Sequence, residues 1–167
     1  SLIYFLRHYL FKKKSNQGIT EIFACTQFRS KTLPIYKIPS HFLNGLITVV
    51  FGGSTGIEVS TVVATAAIGN VVPEKETIFK KYKTELICTG ITAGITVLFG
   101  SPIAGILFSI EVITKKLNKT FFLTNGIAIV IASALLLFFD EKALFTVALT
   151  TWHYHAIPYF ILLGVLA

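Results

Sequence analysis

The sequence has 167 residues, of which 53% are hydrophobic and 14% charged, and its 15 basic and 8 acidic residues give a net charge of +7. An average soluble domain carries about 25% charged residues. Because the apolar residues also form long runs of the length that crosses a membrane, this composition excludes a soluble enzyme, a disordered chain and an ordinary nucleic-acid-binding domain, and it indicates an integral membrane protein.

The first 41 residues are strongly basic, with seven basic residues and one acidic residue. Residues 1–6 have the pattern of the end of a helix that starts earlier, so we expect an internal fragment of a larger membrane protein. Connections 73–85 and 114–120 also carry a net positive charge. Since positive charge concentrates in cytoplasmic loops, all three segments are predicted to lie on the cytoplasmic side. Nucleic-acid binding would need a soluble basic surface with base-stacking aromatics, and the apolar runs leave no soluble surface of that size, so no nucleic-acid partner is expected.

The first long apolar run spans residues 42–68 and contains a single charged residue, Glu58. Basic connections flank the run at both ends, so a single crossing would leave one of them on the wrong side of the membrane. Gly52, Gly53 and Gly56 lie in the middle of the run, where each glycine weakens a helix by about 1 kcal/mol relative to alanine. We predict that the run enters the membrane, turns and returns as two helices.

Glu58 directly follows this predicted break, with no Lys, Arg or His within 16 residues on either side. An acidic residue at the centre of a membrane helix costs about 2.5–3.5 kcal/mol on insertion scales. The free N–H groups at a helix start stabilise a carboxylate, or an anion that replaces it. A capping role without transport is the simpler alternative, but at membrane depth a functional role is the default. Glu58 is therefore predicted to occupy an anion site as a tethered anion.

The second apolar run, residues 86–113, contains one charged residue, Glu111. Pro102 follows Gly100 and Ser101, and this combination predicts another break and return. The glycines Gly90 and Gly94 have the spacing of a close helix contact. Glu111 is expected to lie at the membrane interface and to pair with Lys115.

The third apolar run, residues 121–139, contains no charged residue and is predicted to cross the membrane once. The connection that begins at Asp140 is expected on the opposite side from the basic ones. The aromatic and histidine side chains that follow it are typical of an interfacial belt. Residues 156–167 are expected to start a further helix.

Three motifs resemble one known family. Residues 98–111, LFGSPIAGILFSIE, resemble the segment that joins helices G and H of the CLC chloride channels and transporters. Residues 56–60, GIEVS, partly match the family's gating motif through Gly56 and Glu58. Residues 16–21, NQGITE, partly match the helix-D motif, with Gln17 where the family has a coordinating serine.

The resemblance implies an all-α integral membrane fold, a CLC-like bundle of tilted and broken transmembrane helices. Residues 1–167 would be a partial transmembrane domain, with most of the first inverted repeat and the start of the second. It implies a multi-pass protein of the plasma or inner membrane that transports chloride, forms a homodimer when complete and needs no cofactor. The implied gate is Glu58, and the implied anion-binding residues are Ile57, Val59, Ser60, Gln17, Gly18, Ile19 and Phe99.

Other functions stay open at this point. Val112 stands where proton-coupled members of the family commonly have a second glutamate, so a channel and a proton exchanger are both possible. A fluoride exporter is an alternative, since that branch also departs at the coordinating serine. A membrane-embedded enzyme would need paired catalytic groups at depth, and Glu58 and Glu111 are the only acids in the apolar runs. We therefore expect a transporter and no enzyme.

Overall fold

The computed structural model describes residues 18–28, 32–53, 57–114, 117–139 and 154–166. Within these ranges the chain is helical and has no strand, which confirms the predicted all-α class. The predicted helix end at residues 1–6, the connection at Asp140 and the side chains of Trp152 and His153 lie outside the described residues.

The helices follow the predicted division of the apolar runs. They are α1 (Ile19–Gln27), α2 (Lys37–Val50), α3 (Ile57–Lys75), α4 (Lys83–Phe99), α5 (Pro102–Phe108), α6 (Lys119–Phe138) and α7 (Ile157–Leu166). The 3₁₀ helices Thr77–Tyr82 and Tyr154–Ala156 precede α4 and α7, and α5 continues as a π-helix over Ser109–Ile113. The first two apolar runs each contain two helices, as predicted. Helix α3 continues through Pro73, where the sequence predicted a connection, and ends at Lys75.

The first break is built on glycine. Helix α2 ends at Val50, and Gly52 adopts a φ of 75°, a left-handed conformation that glycine tolerates best. The amide of Gly53 donates to the carbonyl of Thr48 at 2.8 Å and that of Gly52 to the carbonyl of Val49 at 2.9 Å. This pair of hydrogen bonds is the Schellman pattern, which satisfies carbonyls at the end of a helix.

The second break combines a glycine, a cap and a proline. Gly100 ends α4 with a φ of 61°, and Pro102 is the first residue of α5, where its missing N–H leaves no unpaired donor. Between them, the side chain of Ser101 accepts a hydrogen bond from the amide of Ala104 at 3.4 Å. The sequence signals for both breaks were therefore correct.

The chain turns back on itself at the second break. The hydroxyl of Thr92 in α4 lies 3.4 Å from the carbonyl oxygen of Gly105 in α5. Further along, the hydroxyl of Ser109 lies 3.2 Å from the carbonyl oxygen of Cys88. The later residue, Ser109, thus contacts the earlier residue of α4, Cys88. The two segments therefore run antiparallel.

Helix α4 lies at the centre of the molecule and packs against α3, α5 and α6. Its buried side chains Ile87, Ile91 and Ile95 form the core with α3 residues such as Val62 and Val63. Among the described residues, α6 is the one helix long and apolar enough to cross a membrane by itself. The 14 residues of α2 are only about 21 Å long at 1.5 Å per residue.

Candidate anion site

The start of α3 places a carboxylate among the backbone N–H groups of a first helical turn. Glu58 is the second residue of the helix, and its side chain is exposed. The amides of Ile57, Val59 and Ser60 belong to the first turn, whose N–H groups have no partner within the helix. Together with the helix dipole these groups favour negative charge. The predicted helix start at Glu58 is confirmed.

The start of α1 lies against the start of α3. Gly18, the residue before α1, has a φ of 61° and a ψ of −130°. Glycine adopts this backbone conformation readily, whereas residues with a Cβ atom disfavour it. A Cβ added there would lie 3.7 Å from Cγ1 of Val59. Two predicted site residues from distant parts of the sequence are thus neighbours. Gln17, the third residue predicted at this point, lies outside the described residues.

A cavity of about 530 Å³ opens beside α3, between that helix and α2. Ile57 and Ser60 line it at one end, so the first turn of α3 contributes to its wall. Most of the lining is apolar, and the polar side chains are His41, Ser60, Thr61 and Thr65. Because the cavity wall beside the start of α3 is mostly apolar, the effective dielectric constant there is lower than in water. Fixed dipoles therefore act more strongly on a nearby charge than they do in water.

Two other predicted site residues pack on the common core. Ile19, the first residue of α1, and Phe99, the last residue of α4, are partly buried against the same cluster of apolar side chains. The cluster includes Ile22 of α1 and Ile95 of α4. This core fixes the position of the α1 start relative to the rest of the bundle.

A buried ion pair beside the site was not predicted from the sequence. The ammonium of Lys37 in α2 pairs with the carboxylate of Glu21 in α1. The Lys37 side chain is 2% exposed and that of Glu21 is 19% exposed. In the sequence, Lys37 is one of seven basic residues, and Glu21 the one acidic residue, of the segment predicted to be cytoplasmic. The two residues are 16 positions apart in different helices, so local spacing gives no signal for the pair.

Glu111 lies in the π-helix Ser109–Ile113, and its side chain is exposed. Its predicted partner, Lys115, lies outside the described residues. Val112 is half-buried in the same π-helix. Short π-helical turns occur frequently at functional sites, but nothing in the sequence pattern distinguished this one from an ordinary last helical turn.

Comparison with known proteins connects this geometry to a family. The profile of the voltage-gated chloride channel family matches residues 1–167. The chain is 30% identical to a probable chloride channel protein of Mycosarcoma maydis over 128 residues, which cover 71% of this chain and 11% of that protein. It is 33% identical to H⁺/Cl⁻ exchange transporter 3 of Homo sapiens over 138 residues, which cover 72% of this chain and 16% of that protein.

A solved structure has the same fold. The crystal structure of a CLC-type fluoride/proton antiporter matches with a TM-score of 0.74 and 25% sequence identity. The match covers 99% of this chain and 42% of the antiporter chain. The present chain thus spans less than half of that structure and 11–16% of the two relatives. On its profile match over the whole sequence, the chain belongs to the voltage-gated chloride channel (CLC) family of integral membrane proteins.

Proposed function

We propose that the protein containing this chain transports anions across a membrane, chloride first, along a path that passes the start of α3. The observation that carries the proposal is the position of Glu58. It is an exposed carboxylate in the first turn of a helix, at the point where the α1 start also arrives. Both helix starts direct partial positive charge at the same region.

In this proposal Glu58 acts as the gate. Its carboxylate occupies the site formed by the amides of Ile57, Val59 and Ser60 and excludes a free anion. When the side chain swings away or takes a proton, the same amides accept an anion from solution. Gln17, Gly18, Ile19 and Phe99 line the inner continuation of the path. The chloride channel and exchange transporter among the relatives support anions as the cargo.

Proton coupling, in this proposal, does not use residue 112. That position is a valine, which has no group that carries a proton, and it is half-buried in the π-helix. If the protein exchanges anions for protons, the protons would therefore cross the inner part of the protein on another carboxylate or along water molecules. The relatives include both a channel and an exchanger, so the similarity favours neither mode.

Fluoride is the second candidate cargo. The solved structure that matches 99% of this chain is a fluoride/proton antiporter. In addition, Gln17 stands where the resemblance to the family places a coordinating serine, so an amide replaces a hydroxyl there. An amide N–H₂ group donates to a small, strongly hydrated anion as a hydroxyl does, and it carries a second donor.

The bilayer and a second copy of the complete protein are the proposed surroundings. Large apolar side chains of α6 are exposed, among them Leu123 at 66% and Val130 at 68%. Lipid or an equivalent helix of a partner subunit would cover them in the membrane. We place the protein in the plasma or inner membrane as a homodimer.

The test is anion efflux from liposomes that contain the full-length protein, measured with chloride and then with fluoride. Glu58→Gln removes the tethered charge, so efflux should rise or lose its dependence on pH. Glu76→Gln is the control, since it removes an exposed carboxylate just after the far end of α3 and should leave efflux unchanged. The gating assignment fails if Glu58→Gln behaves as Glu76→Gln does. A ratio of fluoride to chloride efflux well above one identifies the second candidate.

A further inference from the structure

The connection between α3 and α4 forms a second pocket, at the opposite end of α3 from Glu58. Its volume is about 640 Å³, and it is lined by Thr32, Pro73, Glu74, Thr77, Lys80, Lys81 and Lys83. Glu74 lies 16 residues after Glu58 in the helix, which corresponds to about 24 Å along its axis. The pocket is therefore separate from the anion site.

The pocket has an excess of positive charge. Three lysines and one carboxylate line it. The carboxylate of Glu74 accepts a hydrogen bond at 2.5 Å from the side-chain amide of Asn70, which is itself buried. Lys83 is 5% exposed, so it belongs to the buried wall of the pocket. Lys80 and Lys81 are exposed at the opening. The other acids of this connection, Glu76 and Glu85, do not line the pocket.

These groups suit a phosphate. Lysine ammonium groups bind phosphate oxygens as compact point charges with several donors each. The hydroxyls of Thr32 and Thr77 on the pocket wall supply further donors. A carboxylate ligand would use the same lysines, but a phosphate offers more acceptor oxygens to a group of donors spread over a pocket of this size.

Apolar side chains beside the pocket indicate where the phosphate comes from. The 3₁₀ helix Thr77–Tyr82 has no buried residue. Ile78 is 72% exposed and Phe79 is 41% exposed, next to the lysines of the opening. A short segment with basic and exposed apolar side chains side by side is typical of the membrane interface. This connection is also predicted to be cytoplasmic, and anionic lipids are enriched in that leaflet.

We propose that this pocket binds the phosphate headgroup of an anionic lipid. Lys80 and Lys81 contact the headgroup at the opening, Lys83 supplies charge from the wall, and Ile78 and Phe79 lie against the acyl chains. Free phosphate shares the headgroup chemistry, but it has nothing to place against the two apolar side chains. The proposal does not depend on what the protein transports, because no residue of the anion site lines this pocket.

The test is native mass spectrometry of the full-length protein in a non-ionic detergent, titrated with phosphatidylglycerol, phosphatidylcholine or inorganic phosphate. The pair Lys80→Gln/Lys81→Gln should weaken phosphatidylglycerol binding by about tenfold or more. The control pair Lys75→Gln/Lys119→Gln removes two exposed lysines that do not line the pocket. It removes the same total charge and should change binding by less than about twofold.

A third variant separates the two sources of phosphate. Ile78→Ser should weaken phosphatidylglycerol binding and leave any binding of inorganic phosphate as it was. The proposal is overturned if both lysine pairs weaken lipid binding equally, or if phosphatidylcholine binds as well as phosphatidylglycerol. It is also overturned if inorganic phosphate competes for the site and Ile78→Ser has no effect, because the ligand would then be free phosphate.

Discussion

Glycines at the crossing of α3 and α4 determine how closely these helices approach. A Cβ added at Gly69 would collide with the carbonyl oxygen of Leu86, and one added at Gly90 with the carbonyl oxygen of Thr65. A Cβ at Gly94 would lie 2.6 Å from Cγ2 of Thr65. Such close backbone contact is a main source of helix association in membranes, where lipid removes most of the hydrophobic driving force.

Gly90→Ala should therefore destabilise the protein. The added methyl group meets backbone atoms that cannot rotate away, and overpacking of this kind typically costs about 1–3 kcal/mol. Gly126→Ala in α6 is the matched control, since a Cβ there has nothing within 4 Å. We expect the control to be neutral or slightly stabilising. Unfolding of both variants in mixed micelles checks this, and equal stability would contradict the close crossing.

The ion pair between Lys37 and Glu21 joins α2 to α1 beside the anion site. Removal of one partner leaves the other charge buried, which costs about 3 kcal/mol or more. Because Lys37 is more deeply buried than Glu21, Glu21→Gln should destabilise the protein more than Lys37→Met does. The double variant should lose less stability than the two single losses together. A double-mutant cycle on unfolding free energies measures this, and simple additivity would show that the two residues do not interact.

At the scale of elements, a buried polar network joins α4, the π-helix and α6. The hydroxyl of Ser109 lies 2.7 Å from that of Thr92, and the hydroxyl of Thr92 donates to Oδ1 of Asn125 at 2.5 Å. The side-chain amide of Asn125 donates in turn to the carbonyl of Phe121 at 2.8 Å. Thr92, Ser109 and Asn125 are all 0% exposed. Each hydroxyl has one proton, so the chain of donors runs in one direction from Ser109 to Asn125.

Thr92→Val tests this network. It keeps the shape of the side chain but removes the hydroxyl that links three segments, and we expect a loss of about 1 kcal/mol. Thr124→Val is the control, because among the described residues the hydroxyl of Thr124 bonds to carbonyls of its own helix, those of Thr120 and Phe121. A loss in the control as large as that of Thr92→Val would show that the network adds no stability between helices.

The breaks of the two helical hairpins were predictable because their causes are local. Glycine and proline act on their own backbone, so Gly52, Gly100 and Pro102 are enough to predict where α2 and α4 end and where α5 begins. The π-helix and the pair of Lys37 with Glu21 involve contacts between residues distant in sequence, since Ser109 of the π-helix contacts Thr92 of α4. No periodicity or spacing carries that information, and these features were therefore missed.

At the scale of the whole molecule, the distribution of charge in the sequence predicts which apolar runs fold back. Basic connections on both sides of each glycine-containing run require the run to return to its starting side, and the antiparallel packing of α4 against α5 and the π-helix agrees with this. The candidate site was also predictable in part. The position of Glu58 at a helix start follows from the sequence, whereas the contact of Gly18 with Val59 depends on how distant helices pack.

The central claim is that Glu58 occupies an anion site formed by the first turn of α3. The most direct measurement is anomalous scattering from bromide in crystals of the full-length protein, with and without Glu58→Gln. We expect a bromide peak within hydrogen-bonding distance of the amides of Ile57 or Val59 in the variant, and no peak at that position while Glu58 is present. A variant without bromide at those amides, or a wild-type protein with the same occupancy there, would contradict the account.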